Sequence, residues 1–363
     1  MRVIVAVGVR ANVVKVAPLF AALSTAGMQV QIALAGGRDS ALDCGEGFVS
    51  VFGVTIPEPT WYVDGGESGS DAITTGVAMR SFETLFSVEH PDAVLVCGDV
   101  NATVAAAISA AKAGIPVVHL EAGLRCGDLS TPDEINRVLI SRVAAMHLTP
   151  TELAMENLED EGIEPERIHF VGDTLAEQAL IELEDGNELG VEDFYDVPDE
   201  GFVLAVFHRR DHMRDVVWLS AVMEGLARSP VPVLMPDSEK LLTALDAAGI
   251  AIPDTVTTFG AIPHLQMLLL IRAAGAVCTD SGGVQEESCV LCSPCVTVRS
   301  CTEHASTVLS GANALVAHDP LQLENALLCA LGRRGIWPQP ARWDRAVSDR
   351  VVRALKRGII PLQ

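Results

Sequence analysis

Side chains that can transfer protons or bind anions follow several short apolar segments of this 363-residue chain. The segment 203–207 runs directly into His208, Arg209, Arg210 and Asp211. A lone histidine after a strand is more often a satisfied core residue, but this one lies in a cationic turn. A histidine in such a turn can donate or accept a proton and contact an anionic group. The turn therefore indicates a site for an anionic ligand.

A glycine-rich turn follows another apolar segment, residues 276–279. Its sequence, DSGGVQEES, contains Ser281, Gly282 and Gly283 immediately before a predicted helix. Glycines let a ligand approach the backbone closely, and the unpaired amides at a helix N-terminus bind phosphate. This turn is typical of a phosphate site.

The first apolar segment also ends at a cationic turn. Arg10 follows it after Gly8 and Val9, and Lys15 lies about one turn into the predicted helix. Positive side chains beside helix N-terminal amides form anion sites, although two solvated charges at a helix start explain the pattern equally well.

Carboxylates supply the remaining chemistry. Asp99 follows an apolar segment, Glu121 follows the next one, and Asp133 precedes Arg137 by four residues. Helix capping by Asp99 and a surface ion pair between Asp133 and Arg137 are the ordinary interpretations. Together with the cationic turns, however, the three carboxylates predict an acid/base site for a phosphorylated ligand. Neither GxxxxGK[ST] nor GxGxxG occurs in the chain, so the usual signatures of ATP hydrolysis and nicotinamide chemistry are missing.

Alternating strands and helices must position these residues. The apolar segments that predict strands are residues 3–7, 30–35, 93–97, 117–120, 146–148, 169–171, 203–207, 231–234, 276–279, 295–298 and 314–316. Helical patterns between them predict right-handed βαβ units and parallel sheets covered on both faces. We expect an α/β protein of two doubly wound, Rossmann-like domains facing a cleft, with ligands at the carboxyl ends of the strands.

The predicted domain boundaries follow from the same pattern. We expect residues 1–171 to form the first domain and residues 172–345 the second. Residues 346–363 form a C-terminal helix that we expect to pack back on the first domain.

The composition of the chain argues against some classes of binding partner. The net charge of −23 argues against nucleic-acid and membrane binding, and no apolar run is long enough to cross a bilayer. The chain carries no recognisable targeting segment, and its nine scattered cysteines are typical of reduced thiols. These features predict a cytoplasmic protein.

Several motifs in order carry a family resemblance. They are GVRxxxxKxAPL at 8–19, GD at 98–99, HLEAGLRCGD at 119–128, PDEINR at 132–137, LTPTELAxENL at 148–158, VGDT at 171–174, HRRD at 208–211 and TDSGGVQEES at 279–288. Together they resemble the UDP-N-acetylglucosamine 2-epimerases of the bacterial, non-hydrolysing type. The resemblance implies a glycosyltransferase-B-like fold in which residues 172–345 form the nucleotide-binding domain, together with a homodimer, a UDP-sugar substrate and no cofactor or metal.

The activity that the resemblance implies is the interconversion of UDP-GlcNAc and UDP-ManNAc. UDP leaves C1 as a proton leaves C2, and UDP then adds back to the resulting 2-acetamidoglucal with inversion at C2. The positions that match the family's acid/base and charge-stabilising residues are Asp99, Glu121, Asp133, Arg137 and His208. The positions that match its nucleotide-contacting residues are Arg10, Lys15, Arg209, Ser281, Gly282, Gly283 and Glu287.

The resemblance also bears on the cysteines. Cys289, Cys292 and Cys295 have CxxCxxC spacing, with Cys301 nearby, which could indicate an iron–sulfur ligand set. The family pattern predicts a helix over 283–291, and a cluster needs its thiolates on a loop that wraps the metal. The phosphate turn is therefore favoured over the metal site.

The chain departs from the family pattern at ligand-contacting positions. Asp133 stands where the family has glutamate, TERPE reads TEHAS at 302–306, and the activator loop at 36–39 lacks its glutamine. Alternatives are a hydrolysing homologue that releases free sugar and UDP, a glycosyltransferase of the same fold, and a nucleotide-sugar binder without turnover.

Overall fold

The chain folds into two compact units. The computed structural model describes residues 1–8, 10–35, 42–45, 48–51, 53–64, 70–186, 188–198, 201–236, 239–335 and 337–359. Unit 1 comprises Met1–Leu180 and Ala341–Gln363, and unit 2 comprises Ile181–Pro340.

The strands and helices of unit 1 follow the predicted alternation. The strands are β1 (Arg2–Val7), β2 (Gln29–Ala35), β3 (Leu42–Gly45), β4 (Phe48–Val51), β5 (Val54–Pro57), β6 (Trp61–Val63), β7 (Ala93–Cys97), β8 (Val117–Leu120), β9 (Met146–Thr149) and β10 (Ile168–Phe170). The helices are α1 (Arg10–Thr25), α2 (Asp71–Glu89), α3 (Asn101–Lys112), α4 (Pro132–Val143), α5 (Glu152–Asp160) and α6 (Thr174–Asp185), whose residues after Leu180 belong to unit 2, with a short 3₁₀ turn at Pro165–Arg167.

A parallel sheet forms the centre of unit 1. Within the described residues its strand order is β10-β9-β8-β7-β1-β2-β6, and β3-β4-β5 form a separate antiparallel sheet. The central strands read VIVAV and AVLVC and are buried along their length, because helices cover both faces of a parallel sheet.

Unit 2 contains a second parallel sheet. Its strands are β11 (Val203–Val206), β12 (Val233–Pro236), β13 (Val256–Phe259), β14 (Ala276–Thr279), β15 (Cys295–Val298) and β16 (Asn313–Val316). Its helices are α7 (Val216–Ala227), α8 (Glu239–Ala248), α9 (His264–Ala273), α10 (Gly282–Val290), α11 (Ala305–Leu309) and α12 (Pro320–Ala330), with 3₁₀ turns at Val191–Asp193 and His212–Arg214. In the described part, the strand order is β13-β12-β11-β14-β15-β16.

Both sheets reverse their strand order at one point, where ligands of doubly wound folds bind. In unit 1 the reversal lies between β1 and β7, which are followed by Arg10 and Asp99. In unit 2 it lies between β11 and β14, which are followed by His208 and Ser281. The α/β fold class with parallel sheets is confirmed, and the reversals bring the predicted residues together within each unit.

The C-terminal helix α13 (Val347–Arg357) belongs to unit 1. Val347, Val351 and Leu355 repeat every four residues and are buried in the same core as β1 and α1. The glutamate side chain of Glu177, on α6, accepts hydrogen bonds from the amide and hydroxyl of Ser348 at 2.8 and 3.0 Å.

These contacts explain why the units divide after Leu180, whereas the sequence predicted a boundary after residue 171. The first turns of α6 are anchored in unit 1 by Glu177 and by Leu175, which packs on Val14 and Val54.

Among the described helices, none is long and apolar enough to span a bilayer.

Candidate active site

Glu121 and Lys15 meet in unit 1. Glu121 follows β8, is 5% exposed, and accepts a hydrogen bond at Oε1 from Lys15 Nζ at 2.5 Å. Its φ of 63° lies in the left-handed region, which costs a non-glycine residue about 1–3 kcal/mol and persists where the surroundings impose it. Burial and the Glu121 carboxylate raise the pKa of the Cys97 thiol well above its ordinary value, so Cys97 stays neutral beside Oε2.

Arg137 connects two carboxylates on different elements. It lies on α4, is 3% exposed, and donates from its guanidinium to Asp99 Oδ2 after β7. Its Nε atom also donates to Glu134 Oε2 at 2.7 Å. Asn136, from the same motif, donates to the backbone carbonyl of Asp99 at 2.8 Å. The structure thus brings together the predicted residues Asp99 and Arg137.

Glu134 was missed by the sequence analysis. It is 2% exposed and accepts hydrogen bonds from the amides of Cys126 and Gly127 at 3.1 and 2.9 Å. Burial opposes ionisation, but Arg137 and these two amides hold the pKa of Glu134 below its usual range. The three-residue spacing to Arg137 was a usable signal, because residues three apart share a helix face as residues four apart do.

Asp133 lies beside Glu134 in a different environment. It is in the first turn of α4 and is half-buried, whereas Glu134 is enclosed. Asp133 is therefore the more accessible of the two to a ligand.

Arg10 begins α1, but the placement of its side chain lies outside the described residues, as does the loop at 36–39.

Asp280 organises the cationic turn of unit 2. It is fully buried and accepts hydrogen bonds from the amides of His208 and Arg209 at 3.0 and 3.2 Å and from His212 Nδ1 at 2.9 Å. Burial opposes ionisation, but the bonds from His212 and from the His208 amide hold the pKa of Asp280 below its usual range. His212 stacks on Trp218 at 4.3 Å between ring centroids. The turn is thus fixed while the His208 side chain remains exposed.

The glycine turn opens α10 as the sequence predicted. Ser281 is the N-cap, and its hydroxyl accepts from the Val284 amide at 3.5 Å. Gly282 and Gly283 form the first residues of the helix and are half-buried. An added Cβ at Gly282 would lie 2.6 Å from His304 Nε2, so a larger residue there would force the His304 ring to shift. The first amides of the helix are available for an anion.

Charged side chains surround this helix start. Arg299 donates to both oxygens of Glu303, at 3.2 and 2.6 Å, and Arg209 lies 3.9 Å from the same carboxylate. His304 lies 3.0 Å from Glu286 through Nδ1 and 3.6 Å from Glu303 through Nε2. His304 therefore lies beside the glycine turn, at the position where the family pattern has arginine.

Glu287 contacts a second residue that the sequence analysis missed, His264. The Nε2 atom of His264 lies 2.8 Å from Glu287 Oε1, and its Nδ1 atom lies 2.9 Å from Glu182 Oε1. Burial alone would lower the pKa of His264, but the hydrogen bonds to Glu182 and Glu287 raise it to about 10. His264 gave no signal, because both partners are distant in the sequence.

The three spaced cysteines lie on different elements. Cys289 is buried in α10, Cys292 lies in the following turn with φ 59°, and Cys295 is buried at the start of β15. Burial raises the pKa of the Cys295 thiol to about 12. In the described part of the chain, no cluster of His, Cys, Asp and Glu has the geometry to hold a metal ion.

Comparison with known proteins identifies one family. The profile of the UDP-N-acetylglucosamine 2-epimerases matches residues 23–356. The UDP-N-acetylglucosamine 2-epimerase of Methanocaldococcus jannaschii is 31% identical over 99% of this chain and 100% of its own length. The UDP-2,3-diacetamido-2,3-dideoxy-D-glucuronate 2-epimerase of Pseudomonas aeruginosa is also 31% identical, over 87% of this chain and 88% of its own.

The solved structures agree with the fold. The crystal structure of the M. jannaschii enzyme in complex with UDP-GlcNAc and UDP has a TM-score of 0.88, with 29% identity over 99% of this chain and 100% of that one. The glycosyltransferase-B-like fold and the family resemblance predicted from the sequence are confirmed.

Proposed function

Because the chain belongs to the UDP-N-acetylglucosamine 2-epimerase family, we propose that it interconverts UDP-GlcNAc and UDP-ManNAc. In the forward direction the C2–H electrons form the C1–C2 double bond of a 2-acetamidoglucal, and the C1–O electrons leave with UDP. In the second step, UDP oxygen attacks C1 and a proton is delivered to the opposite face of C2.

The observation that carries the proposal is the group of carboxylates held by cations in unit 1. Glu121 contacts Lys15, and Asp99 contacts Arg137, while Asp133 lies half-buried on the same helix as Arg137. Inversion at C2 needs proton transfer on both faces of the sugar, which one carboxylate cannot provide without turning the sugar over. We assign this work to Asp99, Glu121 and Asp133.

Unit 2 supplies groups that suit the departing diphosphate. The amides of Gly282 and Gly283 at the start of α10 and the side chain of Ser281 suit its oxygens. Arg209 adds positive charge after β11, and the exposed His208 beside it can donate a hydrogen bond. We assign the ribose hydroxyls to Glu287 and a diphosphate contact to Arg10.

The decisive experiment is proton NMR of the protein with UDP-GlcNAc in heavy water. We expect UDP-ManNAc to appear together with deuterium at C2 of both epimers, in the presence of EDTA and without nicotinamide. Accumulation of free sugar and UDP would establish a hydrolysing enzyme instead. Intact substrate without C2 exchange or UDP release would overturn the proposal and leave a binder or an acceptor-dependent transferase.

A matched variant pair makes the result specific. Asp99→Asn should abolish exchange, because it removes a proposed proton-transfer group. Glu159→Gln, which changes an exposed carboxylate on α5, should exchange at the wild-type rate.

A second substrate deserves the same measurement. The P. aeruginosa relative, whose name specifies a diacetamido glucuronate, is as similar in identity as the M. jannaschii relative. Comparing kcat/KM for the two UDP-sugars decides which substrate this chain prefers. Our proposal requires the value for UDP-GlcNAc to be the higher one.

The family resemblance implies that the protein is a homodimer and that it lies in the cytoplasm. Sedimentation velocity of the purified protein should give the mass of two chains, against 38.4 kDa for one. Sedimentation as a single chain at micromolar concentration would contradict the dimer.

A further inference from the structure

We propose that His264 is a positioning residue that fixes Glu287 for the ribose hydroxyls and so makes the nucleotide site prefer ribonucleotides to 2′-deoxyribonucleotides. The inference rests on the nucleotide-binding role proposed above for Glu287. His264 itself contacts no substrate atom in this proposal.

Three helices hold the cluster, each through a residue that belongs to unit 2. His264 begins α9, Glu182 lies on α6 and Glu287 lies on α10. The side chain of His264 is 9% exposed, and those of Glu182 and Glu287 are 16% and 6% exposed. The imidazole is therefore enclosed between two carboxylates, with one ring nitrogen directed at each.

The two short contacts require a protonated ring. A neutral imidazole donates from one nitrogen only, so it could satisfy one carboxylate and would repel the other through its lone pair. An imidazolium donates to both, and its charge compensates two acids that burial would otherwise penalise. The raised pKa of His264 agrees with this state across the neutral range.

The geometry leaves Glu287 able to bind a ligand. Its Oε1 atom is engaged by His264, so the carboxylate cannot rotate without losing that bond. Within the described part of the chain no hydrogen bond engages the Oε2 atom, which can accept from hydroxyl donors such as those of ribose. Glu287 lies five residues after Gly282, about 7.5 Å along the helix axis at 1.5 Å per residue. This separation suits a nucleotide with its diphosphate at the helix start and its ribose farther along.

The expected consequence is a preference that depends on a hydroxyl. A site built to bond a hydroxyl discriminates against the analogue that lacks it, because its polar group is then left unpaired. A hydrogen bond to a charged group contributes about 1.5–3 kcal/mol, which corresponds to roughly 10- to 100-fold in affinity. If His264 no longer holds the Glu287 carboxylate in place, the site should lose most of this roughly 10- to 100-fold preference for the ligand that carries the hydroxyl.

Calorimetric titration with UDP and 2′-deoxy-UDP tests the inference. We expect the wild-type protein to bind UDP about 10- to 100-fold more tightly than 2′-deoxy-UDP. His264→Phe should bind the two with similar affinity, mainly by losing UDP affinity. His264→Gln, whose amide can donate to one carboxylate, should recover part of the ratio. His318→Phe, at an exposed histidine of the same unit, should keep the wild-type ratio.

The outcomes separate this inference from the proposed function. If Glu287→Gln loses the ratio while both His264 variants keep it, the positioning role is overturned and the ribose assignment stands. If Glu287→Gln also keeps the ratio, the ribose assignment itself fails. Should the His264 variants not fold, Glu182→Gln decides the question, because it removes the carboxylate that holds the other ring nitrogen. An unchanged ratio in that variant overturns the inference.

Discussion

The two adjacent acids of the TPDEINR motif show how one residue step separates two roles. Glu134 is 2% exposed and bonded to Arg137 and to two backbone amides, so it fixes the loop at 126–127. Asp133 is half-buried at the helix start. The sequence motif singled out Asp133 for chemistry, and the structure adds the supporting role of its neighbour.

Substituting each acid by its amide should separate these roles. Asp133→Asn should lower the rate of C2 exchange by about 10²- to 10⁴-fold with little change in UDP affinity or melting temperature. Glu134→Gln should lower the free energy of unfolding by about 1.5–3 kcal/mol, because a charge-assisted buried network loses its anion. Exchange kinetics and thermal unfolding of both variants provide the measurement. Near-normal exchange in Asp133→Asn would shift the proton transfer to Asp99 and Glu121.

A buried histidine on β9 makes the protein sensitive to acid. His147 is fully buried, and neither ring nitrogen has a hydrogen-bond partner among the described residues. Burial, with smaller contributions from neighbouring His119 and Arg167, lowers the pKa of His147 to about 3. The folded state therefore holds this ring neutral.

This arrangement predicts the direction of a pH effect. An unfolded histidine titrates near pH 6.5, so the unfolded chain gains a proton that folded His147 refuses as the pH falls from about 6.5 towards 3. The stability that the neutral ring contributes is present above about pH 6.5 and is lost on acidification, by about 2 kcal/mol at pH 5. His147→Leu should lose less stability than wild type between pH 7 and pH 5 in urea denaturation. Parallel loss in the two proteins would contradict the prediction.

At the scale of secondary-structure elements, the sequence predicted strands well where they are buried along their whole length. The strands Ala93–Cys97, Val117–Leu120, Ala276–Thr279 and Cys295–Val298 were predicted with their observed bounds. The strand Val256–Phe259 was missed, because it lies at a sheet edge and contains two threonines. The short antiparallel strands β3 to β5 were missed as well, since their four-residue segments carry little periodic signal.

The residues of the candidate site also divide into those that a local sequence pattern predicted and those that it did not. Ser281 and Gly282 could be predicted because a glycine turn after a strand has a local meaning. His264 and Asp280 could not, because their roles depend on partners brought close by the fold, whereas the spacing of Glu134 to Arg137 was a local signal that was not used. His208 and Asp280, for example, are 72 residues apart. Tertiary contacts, and not residue type, reveal such supporting groups.

The placement of the cysteines on α10, a turn and β15 leads to a test of the metal hypothesis. Cys292 has φ 59°, a conformation that asparagine adopts more readily than cysteine. Cys292→Asn should keep wild-type turnover, and both proteins should contain no stoichiometric iron or zinc by elemental analysis. Stoichiometric metal in the wild type that is lost in the variant would restore the iron–sulfur hypothesis.

At the scale of the whole molecule, a chain of net charge −23 must bind an anionic ligand through local cations. We propose Lys15 and Arg137 for this role in unit 1, and Arg209 and Arg299 in unit 2; the side chain of each lies within 4 Å of a carboxylate. The paired acids fix these cations in position. The overall negative charge still disfavours nucleic-acid binding, because the phosphates of a nucleic acid would contact a large part of the protein surface and be repelled by it.

Two units with separate cores should also respond separately to perturbation. Val351 on α13 is fully buried in unit 1, so Val351→Asp places an unpaired charge in that core and should destabilise it by about 3 kcal/mol or more. We expect scanning calorimetry to show a lower melting transition for unit 1 and an unchanged one for unit 2. Because we assign the nucleotide contacts other than that of Arg10 to unit 2, UDP at a hundred times its Kd should stabilise that unit by about 2.7 kcal/mol and raise its transition. Lys356→Gln, at an exposed position of the same helix, serves as the control and should leave both transitions in place. A single transition that moves as a whole with both the substitution and UDP would show that the units unfold together, and would refute this prediction.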